Sequence, residues 1–214
     1  MKSTLFNMVA VLFGITLVAS AGVGVVNMIT VEPIAQAELT AKADALKQVL
    51  PPFDGTSDQT LTIDEIPVTV YTATRDGEVT GYAVESMSKN GFGGEVRLMV
   101  GFAPDGEVIN VNVLRQTETP GLGTKMADEG NVLLASIQGK NLEQMKLVDG
   151  KLAVRKDGGD VDALTAATIS SRAYVDAINR AYMAYRSVAR GVPATDVASV
   201  SYTHLRAHET LRHL

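Results

Sequence analysis

Two short segments of the chain combine hydroxyl side chains with glycine or a helix start, an arrangement that suits a bound phosphate. Residues 118–123 read Glu-Thr-Pro-Gly-Leu-Gly, and residues 162–171 read Asp-Ala-Leu-Thr-Ala-Ala-Thr-Ile-Ser-Ser. A Gly-rich loop can bring backbone N–H groups close to a ligand. The second segment places Thr168, Ser170 and Ser171 at a helix entrance, where free N–H groups and the helix dipole favour phosphate. Each segment also has an ordinary explanation, a turn or an N-cap, so these residues indicate a phosphate-bearing ligand without naming it.

The composition of the 214-residue chain excludes several classes of function. The chain contains no Cys, which rules out thiolate metal sites, iron–sulfur clusters, thiol nucleophiles and disulfides. The net charge of -5 and the absence of Trp argue against nucleic-acid binding, which needs a basic surface. We therefore expect neither a nucleic-acid partner nor a metal site.

The C-terminal tail does not read as native protein. All three histidines, His204, His208 and His213, lie in it, and residues 200–210 resemble the translation of a transposase sequencing adapter. We interpret residues 199–214 as a sequencing-adapter artefact and exclude them from fold reasoning. The competing interpretation is a metal site formed by the three histidines.

An uncharged apolar run occupies residues 5–29. At about 1.5 Å per residue it is long enough to cross a hydrocarbon core of about 30 Å with some tilt. A cleaved signal peptide is the alternative, since Ala-Ser-Ala at 19–21 resembles a cleavage site. The apolar run continues beyond that point, which favours an uncleaved anchor.

The charges around the apolar run predict its orientation. Lys2 precedes the run, whereas Glu32 and Glu38 follow it, which places the N-terminus in the cytoplasm. We predict that residues 1–30 form a cytoplasmic N-terminus and a single transmembrane anchor in the lipid of the inner membrane. Residues 31–198 would form one domain on the extracytoplasmic (periplasmic) side.

The periodicity of the remaining chain predicts an α+β domain of antiparallel hairpins with flanking helices. Turns containing Asp-Gly separate alternating apolar segments, which is a strong hairpin signal. The predicted hairpins pair 68–71 with 79–84, 95–102 with 108–114, and 145–148 with 151–154, and the predicted helices cover 33–50, 131–138 and 171–188.

Both chemistry-bearing segments resemble signatures of the FMN-binding domain shared by the G subunit of Rnf-type electron-transport complexes and the C subunit of the sodium-pumping quinone reductase. In that family a (Ser/Thr)-Gly-Ala-Thr-x-(Ser/Thr)-(Ser/Thr) stretch carries flavin on the Thr before the variable residue, which matches Thr168 here. Asp162 occupies the usual upstream position, and residues 118–123 match the second signature. Residues 91–94, Gly-Phe-Gly-Gly, resemble an aromatic–Gly segment of the family. Ala166 departs from the pattern, because the family has Gly there, and we expect it to tighten the local backbone.

The resemblance covers about residues 5 to 190 and implies a defined chemistry. FMN would be esterified through its phosphate to Thr168 by a separate flavin transferase of the ApbE type, using FAD and a divalent metal. Thr168 would then be an acceptor and not a catalytic residue, because an unaided Thr hydroxyl is a poor nucleophile. The domain would bind and tune the flavin, which performs the electron transfer.

The resemblance also suggests which residues surround the flavin. Two interpretations of Lys125 have equal weight: an electrostatic partner of the cofactor, or a surface lysine exposed to solvent. The predicted cofactor-binding residues are Thr168, Thr119, Gly121, Leu122, Gly123, Lys125, Phe92, Gly93, Thr165, Ser170 and Ser171.

Several functions remain open from the sequence. The resemblance implies an electron-carrier subunit of an ion-translocating Rnf complex, with the other subunits of that complex as partners. The short chain and residues 30–34, Thr-Val-Glu-Pro-Ile, favour this over the quinone reductase subunit. A regulator or extracellular reductase with the same flavin domain is a further alternative, as is an anchored binding module with no redox role.

Overall fold

A computed structural model of the chain describes residues 5–192 and the backbone of residues 201–203. Its helices and strands follow one another along the chain with three short 3₁₀ turns between them. The elements are α1 (Leu5–Val49), β1 (Gly55–Ile63), β2 (Ile66–Arg75), β3 (Glu78–Ser88), β4 (Val96–Phe102), β5 (Val108–Arg115), α2 (Val132–Ile137), β6 (Leu147–Val148), β7 (Lys151–Leu152), α3 (Thr168–Arg190) and β8 (Ser201–Thr203), with 3₁₀ turns at Gly123–Ala127, Leu142–Gln144 and Arg155–Asp157.

Helix α1 is long and apolar enough in its N-terminal part to cross a membrane, judged by length and composition. The apolar side chains of that part are exposed, as an anchor in lipid requires. Residues 33–49 are helical as predicted, but the predicted start of a helix at Pro33 is wrong, because α1 continues through Pro33 without interruption. Pro33 removes one backbone hydrogen bond, and the helix-favouring residues on both sides extend the helix across it.

The chain divides into two compact units, one ending at Ala43 and the other beginning at Asp44. The second unit is built on an antiparallel sheet in the order β5-β4-β3-β2-β1-β8, so that β1 to β5 form a simple meander. The hairpins predicted around the turns at 76–77 and 104–106 are confirmed. The third predicted hairpin is the small separate sheet of β6 and β7. The predicted α+β class is therefore confirmed.

Strand β1 was not predicted. Its sequence, Gly-Thr-Ser-Asp-Gln-Thr-Leu-Thr-Ile, is polar over most of its length, and only its C-terminal end alternates between buried and half-buried positions. The turn that joins it to β2 consists of Asp64 and Glu65, which adopt positive φ of 48° and 61°. Neither residue is the Gly that marks such hairpin turns in a sequence.

The main core lies between one face of the sheet and α3. The face of this helix that packs on the sheet is buried, with Tyr174, Ile178 and Tyr185 fully covered. Tyr185 stacks on Phe102 of β4, with ring centroids 4.9 Å apart. This packing fixes α3 along the sheet and brings its first residue, Thr168, to one end of the core.

The backbone of β8 pairs antiparallel with β1. The other residues of the stretch interpreted as adapter-encoded, including its three histidines, lie outside the described residues. The origin of that stretch remains a prediction.

Candidate functional site

The segment that precedes α3 is held in place by one hydrogen bond to the buried Ser171 hydroxyl and one from it. The Leu164 amide donates to the Ser171 hydroxyl at 2.9 Å, and that hydroxyl donates to the Ala167 carbonyl at 2.9 Å. Between them Ala166 adopts φ of +58°, a left-handed conformation that is unfavourable for any residue with a Cβ. The family's Gly position is therefore occupied here by a strained Ala, two residues before the candidate acceptor Thr168.

Thr168 is the first residue of α3, so the predicted start of this helix at residue 171 was three residues too late. Its side chain is half-buried, and its Oγ1 accepts a hydrogen bond from Lys156 Nζ at 3.0 Å. The residue before it, Ala167, provides no side-chain cap for the helix. The N–H groups of the first turn therefore lack the acceptor that Ser, Thr or Asp supplies at most helix starts.

Glu118 connects the second signature segment to the helix entrance. It is 5% exposed, and its Oε2 accepts a 2.5 Å hydrogen bond from the Ser170 hydroxyl. Its Oε1 accepts from the Gly93 amide at 3.2 Å. One buried carboxylate thus joins two loops and the first turn of α3, which lie far apart in the sequence.

Gly123 lies against this junction. A Cβ at Gly123 would come within 2.6 Å of Ser170 Oγ and 2.7 Å of Glu118 Cβ. Gly93 is similarly close to the backbone of Thr117, whose hydroxyl donates to the Gly93 carbonyl at 2.9 Å. Both glycines are required because two segments approach each other more closely than a side chain permits.

A cleft of about 330 Å³ opens beside this junction, within the range of about 300–1,000 Å³ common for small-ligand sites. Three large apolar side chains in its lining are exposed: Phe92 (68%), Leu122 (40%) and Ile169 (47%). Exposed apolar groups gathered around a concavity are typical of a binding site. The complete lining is Phe92, Thr119, Leu122, Gly123, Ala166, Ala167, Thr168, Ile169 and Ser170.

Six of the predicted site residues therefore meet in the cleft, and five do not line it. Gly93 supports the cleft from behind through Glu118. Gly121 donates its amide to Thr124 Oγ1 at 2.9 Å within its own loop. Ser171 is fully buried beneath the loop, whereas Thr165 and Lys125 are exposed.

Five residues of the site were not among the cofactor-binding residues predicted from the sequence: Ala166, Ala167 and Ile169 in the cleft lining, and Glu118 and Lys156 beside it. Glu118 was named as the first residue of a signature, but nothing in its spacing showed that it would meet Ser170. Ile169 is the variable position of the flavin-carrying motif. Lys156 lies 12 residues before Thr168 in a segment without any local motif.

The charges next to Thr168 are arranged around the turn Arg155–Asp157. Arg172 donates two hydrogen bonds to Asp157, at 2.6 and 2.7 Å. Those bonds lower the pKa of the Asp157 carboxyl, and the positive charge of Lys156 contributes in the same direction. Within the described residues, no group of three or more His, Cys, Asp or Glu side chains is placed to hold a metal ion.

Comparison with known proteins identifies the domain that carries the cleft. Residues 91–183 match the FMN-binding domain family. This stretch contains every residue of the cleft lining.

Similar proteins extend the match over most of the chain. The G subunit of the ion-translocating oxidoreductase complex of Shewanella loihica is 33% identical over 193 residues, covering 84% of this chain and 89% of that protein. The protein of the same name from Vibrio cholerae is 36% identical over 173 residues, covering 77% of this chain and 82% of that protein. The chain accordingly belongs to the family of G subunits of ion-translocating oxidoreductase complexes and carries the FMN-binding domain.

Proposed function

We propose that this protein is the electron-carrier G subunit of a membrane-bound, Rnf-type ion-translocating oxidoreductase complex, with FMN joined through its phosphate to Thr168. The observation that carries the proposal is the position of the Thr168 hydroxyl. It lies at the uncapped start of α3, half-buried in an apolar cleft of an FMN-binding domain. A flavin held there supplies electron transfer, and the complex's other subunits are its partners.

The hydroxyl groups near the cleft differ in their freedom to accept a phosphate. Ser170 is 2% exposed and donates to Glu118, and Ser171 is fully buried and bonded on both sides. Thr165 is exposed but lies outside the cleft. Thr119 lines the cleft and is exposed, so it is the rival acceptor. Thr168 is favoured over Thr119 because the helix start and Lys156 place positive potential at its oxygen.

The chain's own residues would then have separate tasks. Phe92, Leu122 and Ile169 present apolar surface to the flavin ring system and exclude water from it. Glu118 holds the loops that form the cleft, through its bonds to Ser170 and Gly93. Electron transfer by the flavin does not require any of these side chains to gain or lose a proton.

The attachment is tested by co-expression with a flavin transferase and intact-mass analysis. The wild-type chain should gain one FMN-sized adduct and fluoresce in a denaturing gel, and Thr168→Val should abolish both signals. Thr119→Val is the matched control and should retain the adduct, and Ser170→Ala should not abolish it, although this change removes a hydrogen-bond partner of Glu118. An adduct that persists in Thr168→Val, or that disappears only in Thr119→Val, would overturn the assignment.

We also propose that α1 is an uncleaved anchor that places the flavin domain on the extracytoplasmic side of the membrane. The length and apolar composition of α1 support this proposal, and Lys2 before the apolar run supports the orientation. The full chain should remain in membranes washed with carbonate and require detergent for release. Protease added to intact spheroplasts should digest the flavin domain, whereas protection of that domain would reverse the orientation.

A further inference from the structure

The turn that carries Lys156 is attached to the domain on both sides. Its first residue, Arg155, forms an ion pair with Asp162 at 2.5 Å. Its last residue, Asp157, receives the two hydrogen bonds of Arg172 from the second turn of α3. The residue between them is therefore held above the helix start, although its side chain is exposed.

The ammonium group of Lys156 contacts the hydroxyl group of Thr168 directly. An ammonium group can only donate, so the 3.0 Å contact between Lys156 Nζ and Thr168 Oγ1 uses a lone pair of the hydroxyl and turns its proton away. Among the described residues, no carboxylate lies within ion-pair distance of Lys156, whereas Arg155 and Arg172 are both paired. Lys156 is thus the cation at this helix start that remains available for a new anion.

An exposed lysine contributes little to folding stability through one such contact. Its arrangement is better explained by a ligand charge that arrives later. A phosphate group on Thr168 Oγ1 would lie beside the ammonium group and the free N–H groups of the first turn of α3. Asp162 would help to position Lys156 indirectly, because its ion pair with Arg155 holds the turn that carries Lys156.

We propose that Lys156 is the positioning residue for flavin attachment at Thr168, first orienting the hydroxyl and then neutralising the phosphodiester. This inference rests on the proposed function. In the attachment step a bond forms between Thr168 Oγ1 and the flavin-side phosphorus of a flavin adenine dinucleotide. The bond between that phosphorus and the bridging oxygen breaks, adenosine monophosphate leaves, and the hydroxyl proton passes to a base of the transferase. Nothing is oxidised or reduced, and Lys156 takes no part in the proton transfer.

The test compares attachment rates for the full chain in detergent, with purified flavin transferase, FAD and magnesium. The rate of adduct formation is followed by intact mass for the wild type, Lys156→Gln, Lys156→Arg and the control Lys146→Gln, which removes an exposed lysine just before β6. We expect Lys156→Gln to lower the rate at saturating chain concentration about tenfold, the effect of one charge-assisted hydrogen bond. Lys156→Arg should stay within about threefold of the wild type because it keeps the donor and the charge, and Lys146→Gln should match the wild type.

The dependence on salt and on chain concentration separates positioning from other roles. Raising the ionic strength from about 0.05 to about 0.5 M should shrink the difference between wild type and Lys156→Gln, because the side chain is exposed and its charge is screened. Equal rates for wild type and Lys156→Gln would overturn the inference. A change confined to the apparent KM for the chain would also overturn it, since that result assigns Lys156 to docking of the transferase. Absence of an adduct on the wild-type chain would instead refute the proposed function.

Discussion

The Ser170 hydroxyl donates a 2.5 Å hydrogen bond to the Glu118 carboxylate across 52 residues of sequence, and this bond joins the two signature segments of the domain. Both groups are almost fully buried. The cleft beside Thr168 therefore depends on a polar junction, because a buried carboxylate that loses its partners is strongly destabilising.

Removing the Glu118 carboxylate should destabilise the domain measurably. In Glu118→Ala the Ser170 hydroxyl and the Gly93 amide lose their acceptor, and we expect the free energy of unfolding to fall by about 3 kcal/mol. Glu118→Gln keeps the size and one acceptor oxygen, so its loss should be about 1 kcal/mol. Urea unfolding of the detergent-solubilised chain, followed by circular dichroism, measures both. Equal losses in the two variants would show that side-chain volume, and not hydrogen bonding, matters there.

A methyl group at Gly123 should disrupt the same junction by crowding. Gly123→Ala would push a Cβ against Ser170 and Glu118. We expect the free energy of unfolding to fall by about 1–3 kcal/mol and less flavin to be attached. Gly130→Ala is the control for the backbone, since Gly130 has φ of +65° with open space around it. In Gly130→Ala the free energy of unfolding should fall by about 1 kcal/mol, and flavin attachment should be unchanged. Comparable attachment in both variants would contradict the close approach at Gly123.

Replacing Ala166 by the family's Gly should stabilise the chain. Ala166 occupies a left-handed conformation that costs a residue with a Cβ about 1–2 kcal/mol. The greater freedom of Gly in the unfolded chain offsets part of this gain, which leaves about 0.5–1 kcal/mol. The neighbouring substitution Ala167→Gly, at φ of -132° and a buried position, should be destabilising instead. A loss of stability in Ala166→Gly, measured by urea unfolding, would exclude strain at this position.

The ion pair between Asp157 and Arg172 should give the domain an acid-dependent component of stability. Because the folded-state pKa of Asp157 is lowered, first by the hydrogen bond from Arg172, the folded state binds this proton less readily than the unfolded state. The resulting stability is present above the ordinary Asp pKa of about 4 and is lost as the pH falls through the lowered value. NMR titration should show the Asp157 pKa rising toward its ordinary value in Arg172→Gln, and by a smaller step in Lys156→Gln. An unchanged pKa in Arg172→Gln would contradict the pairing.

The strand pairs that have local turn signals were predictable, and the one without such a signal was not. Asp-Gly turns marked the hairpins of β2 with β3 and β4 with β5, because these residues accept the positive φ that a tight turn requires. The turn at Asp64 and Glu65 needs the same conformation but has no Gly to indicate it. Apolar and polar residues also alternate too weakly in β1 for the strand to be recognised from its periodicity, since most of its residues are polar.

What the sequence by itself determined is the apolar helix long enough to cross a membrane, the α+β class and the two segments that hold the candidate acceptor and its Gly-rich neighbour. Those features are local, and they follow from composition, turn chemistry and residue order. Only the tertiary structure decided that Glu118 meets Ser170, that Lys156 reaches Thr168 and that Ser171 is structural. Contacts between residues 12 to 52 positions apart depend on how α3 packs on the sheet, and no short pattern encodes that packing.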